Sequence, residues 1–295
     1  MQVEAQHLEA TERGIENDAP RPVKIIRPAS FSLAVLVKGP LELYRYRDLL
    51  YTLTVHRIKV RYKQSALGLG WALVQPLALM LVYTAVFSLF TRLPTKTEHY
   101  SLFVLAGILP WTFFQTALSS AATGMVTHTN LITKVYFPRE IIPLSYVFTG
   151  LVDFLISCVI LVAMMAWYHV AVNPLALYLI PVLIIEFSFT LGLALLLSSM
   201  QVRFRDIGIA MPLLLQLWMF GSPVVYSLSN VPRRFRAFYE LNPMTGIVED
   251  FRRVLVQGVG ADLRILGISA IVSALVLPSA YLYFKYREAT MADVI

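Results

Sequence analysis

Six apolar stretches, each long enough to cross about 30 Å of lipid hydrocarbon, constrain this chain more than any other feature. Hydrocarbon offers no water to satisfy backbone N–H and C=O groups, so each stretch is predicted to be a helix. Their approximate bounds are Trp71–Thr91, Leu102–Val126, Val147–Tyr168, Leu175–Ser199, Ile207–Tyr226 and Leu263–Phe284. Prolines at positions 110, 181, 212 and 223 predict kinks or breaks. The sequence therefore predicts an all-α integral membrane protein with six transmembrane helices.

Composition supports this class and excludes others. Charged residues make up 15% of the 295 residues, well below the roughly 25% of an average soluble domain. The net charge of +7 comes from basic residues that flank apolar runs, so nucleic-acid binding is not expected. The single cysteine, Cys158, lies in an apolar run, which leaves neither a disulfide framework nor a cysteine metal site. Met1 to Asp18 is polar and carries no signal-peptide core.

Basic residues also indicate orientation, because cytoplasmic loops are enriched in Lys and Arg. Six of them shortly precede the first span: Arg45, Arg47, Arg57, Lys59, Arg61 and Lys63. The connector after the third span, residues 169–174, has none. We therefore expect both termini in the cytoplasm, although five arginines in the connector at 227–262 oppose this orientation.

Four segments follow from these patterns. We predict a flexible cytoplasmic tail (1–38), an amphipathic helix in the membrane interface (39–70), the six-span domain (71–287) and a cytoplasmic C-terminal tail (288–295). In the interfacial helix, the apolar stripe Tyr51, Val55, Ile58 and Tyr62 should face the lipid, and a basic stripe with Arg57 and Arg61 the headgroups. Two short re-entrant amphipathic helices are predicted between spans five and six.

Five motifs occur in a fixed order along the chain. They are RYKQSALGLGWALVQPL (61–77), LITKVYFPREIIPLS (131–145), RFRDI (203–207), SPVVYS (222–227) and LNPMTGIVEDFR (241–252). These motifs resemble the transmembrane subunit of ABC-2-type polysaccharide exporters, the family that moves O-antigen, capsule or teichoic-acid chains. The resemblance extends over about residues 41–287.

The resemblance implies a multi-pass permease of the bacterial inner membrane that forms a homodimer and binds two separate ATPase subunits, which hold ATP and Mg. Together, the permease dimer and the ATPase subunits would export a polyprenyl-linked glycan, as in lipopolysaccharide biosynthesis or capsule export. The chain has no G-x-x-x-x-G-K-[ST] motif, so no cofactor is expected in it. Two alternatives are an ABC-2 permease for another amphiphile (drug or lipid) and a proton-coupled secondary transporter that uses Glu186.

The loop after the second span is the predicted contact with the ATPase. Its candidate residues are Lys134, Tyr136, Phe137, Pro138, Arg139 and Glu140. Tyr136, Phe137, Arg139 and Glu140 are expected to be exposed on a short rigid element that seats in a groove of the partner. The alternative is an ordinary charged turn.

Two further groups are predicted to meet the substrate. Arg57, Lys59, Arg61 and Lys63 could attract the pyrophosphate of a lipid-linked donor, or only anchor the helix at the membrane surface. Gln75, Tyr83, Phe87, Phe90 and Trp218 could line a translocation path on which sugar rings stack. For any single aromatic residue, packing or an interface belt is the simpler interpretation.

Two carboxylic acids fall within predicted spans, where a charge costs several kcal/mol. Asp153 lies near the start of the third span and Glu186 near the centre of the fourth. Glu186 could relay protons, or be a neutral acid that bonds Gln216 across helices. No catalytic or metal-binding motif is present, so the chain is not expected to be an enzyme or to bind a metal.

Overall fold

The computed structural model describes residues 34–63, 65–90 and 99–294. Within these ranges the chain is helical and has no strand, which confirms the predicted all-α fold. In chain order the helices are α1 (Ala34–Arg45), α2 (Arg47–Tyr62), α3 (Gly70–Phe90), α4 (Tyr100–Thr127), α5 (Thr129–Lys134), α6 (Ile141–Trp167), α7 (Leu179–Arg203), α8 (Asp206–Phe220), α9 (Arg233–Glu240), α10 (Pro243–Leu255) and α11 (Leu263–Val294). Most of the predicted N-terminal tail, residues 1–33, lies outside the described residues.

Among the described residues, five helices are long and apolar enough to cross a membrane: α3, α4, α6, α7 and α11. The fifth predicted span is shorter than expected, because α8 has only 15 residues. At 1.5 Å per residue it is about 22 Å long, less than the roughly 30 Å of hydrocarbon. The predicted count of six spanning helices is therefore not confirmed. The helix ends at Phe220, and residues 221–227 form a non-helical loop.

Helix α4 lies at the centre of the bundle. It packs against α3, α6, α7 and α10, and large side chains such as Leu105 and Phe114 are fully buried along it. Helices α7 and α11 make another extensive contact. By contrast, α3 packs on α4 and α6 along one side and leaves Leu81 and Val82 exposed on the other. This outer face of α3 is an apolar surface available to lipid or to another subunit.

The two predicted helices between α8 and α11 are present as α9 and α10. Helix α10 begins at Pro243, and the Asn242 side chain caps it by accepting a hydrogen bond from the backbone N–H of Met244 (3.2 Å). Nearly the whole helix is buried against α4, α7 and α11. It is therefore part of the core, whereas α9 has no buried residue. Helix α11 continues through residues 288–294, which the sequence analysis assigned to a C-terminal tail.

Helix α2 packs against α6, whereas the sequence analysis expected it to lie in the membrane interface with its apolar stripe on lipid and its basic stripe among headgroups. Thr54 is buried, whereas Tyr51, predicted to lie on the apolar side, is 71% exposed. Arg57 and Arg61, predicted to face the headgroups, contact side chains of α6. The helix turns this way because Ser145 and Asp153 of α6 offer partners to the two arginines.

Candidate functional site

A half-open cavity of about 350 Å³ lies between the end of α2, the first turns of α3 and the middle of α4 and α6. Its wall carries the aromatic rings of Trp71, Phe113 and Phe154 together with the polar side chains of Gln75 and Asp153. The volume falls in the lower part of the roughly 300–1,000 Å³ range of small-molecule sites. The cavity thus has the size and mixed lining of a ligand site.

Asp153 holds α2 against this cavity. Its carboxylate forms an ion pair with Arg61, and Oδ1 accepts a 2.8 Å hydrogen bond from the Tyr62 hydroxyl. Burial, reinforced by this hydrogen bond, raises the pKa of Tyr62 to about 12, so the hydroxyl remains a donor at neutral pH. On the other side, Ser157 of α6 donates to the carbonyl oxygen of Ala72 on α3 (2.8 Å). These contacts fasten both α2 and α3 to α6.

Arg57 is held within the protein and does not extend into headgroups. Its Nε donates to Ser145 Oγ (2.8 Å), its Nη1 lies 2.9 Å from His128 Nε2, and its guanidinium stacks over the Tyr146 ring at 3.5 Å. Burial lowers the pKa of Arg57, and burial together with the nearby guanidinium lowers the pKa of His128. A neutral His128 can accept the hydrogen bond from Arg57, so the two groups are compatible neighbours.

The four predicted headgroup contacts therefore separate into two pairs. Arg57 and Arg61 are partnered within the chain. Lys59 and Lys63 are exposed. Only the second pair is placed as the sequence analysis expected of a residue that meets lipid phosphate.

The predicted ATPase contact also separates into an exposed and a buried part. Lys134 is exposed, and Tyr136 is 58% exposed at the end of α5. The expectation that Phe137 and Glu140 are exposed is wrong, because their exposed fractions are 5% and 1%. Phe137 enters an apolar cluster with Ile132 and other side chains, and Pro138 is buried beside it.

Glu140 is buried because α11 supplies its partners. Its carboxylate pairs with Lys285 Nζ at 2.7 Å and accepts a hydrogen bond from the Tyr281 hydroxyl at 3.2 Å. The half-buried Arg139 donates its backbone N–H to Glu288 on the same helix (3.1 Å). Glu140 thus joins the start of α6 to α11 and is not free to meet another protein.

The predicted channel residues do not form one group. Gln75 lines the cavity beside α2. Trp218 packs edge-on against Phe114 in the bundle interior and donates its indole N–H to Asn242 Oδ1 (3.2 Å). The hydroxyl of the half-buried Tyr83 lies 3.7 Å from the sulfur of Met219. The partly buried Phe87 packs against the same core, and the side chain of Phe90 lies outside the described residues.

Glu186 is fully buried, and neither carboxyl oxygen has a hydrogen-bond partner within the described part of the chain. The predicted hydrogen bond to Gln216 is absent there, because Gln216 lies on an exposed face of α8. Thr190, one turn along the same face of α7, also has a buried hydroxyl without a partner among the residues that the structure describes. In residues 34–63, 65–90 and 99–294, no three His, Cys, Asp or Glu side chains are grouped to hold a metal ion.

The sequence analysis missed the most connected polar residue, Arg252 of α10. Its guanidinium is 0% exposed, and all five of its N–H donors are used. The acceptors are the carbonyl oxygens of Phe103, Pro223, Val224 and Tyr226 and the carboxylate of Glu249, at 2.7 to 3.3 Å. Burial lowers the pKa of Arg252, and Glu249 opposes that shift.

Arg252 stabilises the loop that follows α8. The sequence analysis predicted a break at Pro223, and the helix ends three residues before it. After Phe220 the chain leaves the helix, so the carbonyl oxygens of the loop no longer accept hydrogen bonds within it. Because the loop is buried, these oxygens need other donors. Arg252 supplies them from the neighbouring helix. Gly107 of α4 makes room, because a Cβ there would collide with the Val224 carbonyl oxygen and the guanidinium. Little in the sequence pointed to this role, because Arg252 lies in the charged run EDFRR (249–253) of an amphipathic helix.

Asp250, two residues earlier, is the second buried acid of α10. Its Oδ1 accepts a 2.7 Å hydrogen bond from the backbone N–H of Asp262, while Oδ2 has no partner among the described residues. Burial outweighs the hydrogen bond and the nearby Arg253, and raises the pKa of Asp250 to about 6.

Known proteins resemble this chain over most of its length. The model of the ABC-2 type transporter family matches residues 48–256. An O-antigen export system permease from Myxococcus xanthus is 33% identical over 262 residues, covering 86% of this chain and 98% of the relative. An O-antigen export permease from Klebsiella pneumoniae is 28% identical, with coverages of 82% and 94%. A polysialic acid transport protein from Escherichia coli is 23% identical, with coverages of 81% and 93%.

Proposed function

The chain belongs to the ABC-2 type transporter family, and on this basis we propose that it is the permease subunit of an ATP-driven exporter of a bacterial polysaccharide. The observation that carries the proposal is the near full-length match to an O-antigen export permease, at 33% identity over 98% of that protein. The five apolar helices agree with a multi-pass permease. The expected substrate is a lipid-linked glycan, and the expected location is the bacterial inner membrane with both termini in the cytoplasm.

The energy source belongs to another polypeptide. The sequence has no phosphate-binding loop of the G-x-x-x-x-G-K-[ST] type, so ATP and Mg would be held by two ATPase subunits below a homodimer of this chain. Lys134 and Tyr136 are the parts of the predicted contact segment that are exposed to such a partner. Phe137 and Glu140 instead fix that segment to the bundle.

Helix α2 would face the lipid-linked substrate with its exposed lysines. Lys59 and Lys63 are available for charge-assisted contacts with phosphate. Arg57 and Arg61 would position the helix through their contacts with α6.

Co-purification combined with a transport assay tests this function. A tagged chain, expressed in its native host, should bring an ATPase subunit down in equal amount. Reconstituted together, the two should move lipid-linked glycan only with ATP, and the ATPase-site variant of the partner should not. Transport driven by a pH gradient without ATPase, and lost in Glu186→Gln, would instead support a proton-coupled carrier. ATP-driven movement of a drug or simple lipid but not of glycan would support the other ABC-2 alternative.

A further inference from the structure

The cavity between α2, α3, α4 and α6 has a wall without excess charge. Arg61 and Asp153 are its charged residues, and they neutralise each other in an ion pair. The exposed lysines of α2, Lys59 and Lys63, are not part of the wall. A phosphate group in the cavity would meet the Asp153 carboxylate and a guanidinium that is already paired, whereas an uncharged polar ligand would meet no net repulsion.

The polar groups on the wall can both donate and accept hydrogen bonds. Thr112 and Thr116 use their hydroxyl protons on backbone carbonyls of α4, at 2.9 and 2.7 Å, which leaves oxygen lone pairs as acceptors. The Gln75 amide offers a donor and an acceptor. Arg61 has further N–H groups beyond the one bonded to Asp153. A ligand rich in hydroxyl groups, which both donate and accept hydrogen bonds, matches these donors and acceptors.

The apolar part of the wall suits the faces of a sugar ring. Trp71, Phe113 and Phe154 contribute aromatic rings to the same space. A pyranose has C–H groups on its two faces and hydroxyls around its edge, so it can stack on an aromatic ring while the hydroxyls bond the polar groups. The open side lies beside Trp71 and Gln75, which are exposed one helical turn apart on α3.

We propose that this cavity binds one uncharged sugar ring of the transported glycan through Gln75, Thr112, Thr116 and the Arg61–Asp153 pair, with stacking on Trp71. The proposal rests on the proposed function and adds the chemistry of one subsite within a single subunit. It assigns the sugar and the phosphate of the substrate to different places. The sugar lies in the cavity, and the phosphate lies outside it near Lys59 and Lys63.

Protection of a cysteine from alkylation tests the cavity directly. The chain has one cysteine, so a Cys158→Ala background permits single-site labelling. Ala72→Cys reports the cavity, because Ala72 lines the wall but is not one of the proposed sugar contacts. Val74→Cys is the matched control, because Val74 is exposed on the same helix but is not part of the wall. The probes are methyl glycosides of the neutral sugars present in the host's own surface glycan, with inorganic phosphate at equal concentration as the comparison. The purified complex with the ATPase is labelled with a maleimide.

The sugars should slow labelling at Ala72→Cys about threefold at a concentration about twice the dissociation constant. Val74→Cys should be unaffected, and Thr116→Val, which removes one hydroxyl at constant shape, should abolish the protection. Equal protection of both cysteines, protection by phosphate instead of sugar, or no protection by any sugar would each overturn the proposal. Surface glycan is measured in a deletion strain that carries the wild-type chain. Its presence without sugar protection refutes the cavity alone, and its absence refutes the proposed function.

Discussion

Replacing Arg252 should cost more stability than any other single change in the connector between α8 and α11. Arg252→Met keeps most of the side-chain volume but removes all five donors. Four carbonyl oxygens and the Glu249 carboxylate then lose a buried partner. Removing one member of a buried ion pair alone costs about 3–5 kcal/mol, because the other charge stays desolvated.

The magnitude can be converted into an observable shift. A change of 1 kcal/mol moves the melting temperature of a domain of this size class by about 2–4 °C, so Arg252→Met should lower it by about 6–20 °C. The melting temperature of Arg252→Lys should fall between those of the wild-type chain and Arg252→Met, since an ammonium has three donors in place of five. The assay is thermal unfolding of the purified chain in detergent, followed by fluorescence-detected size exclusion.

Arg253→Met is the matched control. Arg253 is the next residue, is partly exposed, bonds one carbonyl oxygen, that of Gly260, and makes a long ion pair with Asp250 (4.0 Å). A melting temperature for Arg252→Met within a few degrees of the Arg253→Met value would refute the reasoning. Gly107→Ala should reproduce part of the loss by displacing the same guanidinium, and combining it with Arg252→Met should add less than the sum of the two.

Three other predictions follow from buried and exposed groups. Tyr136→Ala should reduce export with a smaller loss of stability than Phe137→Ala, which should cost about 3–4 kcal/mol because Phe137 is buried. Equal melting temperatures of the two variants would contradict this difference. The raised pKa of Asp250 means that the folded state binds its proton more tightly than the unfolded state, so stability should fall as pH rises from about 4 to about 6 by up to about 3 kcal/mol. Asp250→Asn should flatten that profile in pH-dependent unfolding, and an unchanged profile would argue against it. The double alanine variant of Arg61 and Asp153 should lose about 0.5–3 kcal/mol less stability than the sum of the losses in the two single variants. Strict additivity would show that the ion pair does not contribute to stability.

Part of the candidate site could be predicted from the sequence. Gln75 at the start of an apolar helix indicated a polar contact, and it lines the cavity. Its neighbours on the wall, such as Asp153, come from elements far along the chain. The local pattern also implied that the basic stripe of α2 faces headgroups, whereas Arg57 finds Ser145, 88 residues away. No local pattern records such a partner.

The sequence by itself determined that the chain is helical and identified the five helices of the described residues that are long and apolar enough to cross a membrane. In hydrocarbon a backbone must satisfy its own hydrogen bonds, so a long apolar run is expected to form a helix. Only the tertiary structure decided that Glu140 pairs with Lys285 and that Arg252 holds the loop after α8. Each of these depends on a buried polar group meeting a partner from another helix, and burial is a property of the packed bundle that hydropathy along the chain does not contain.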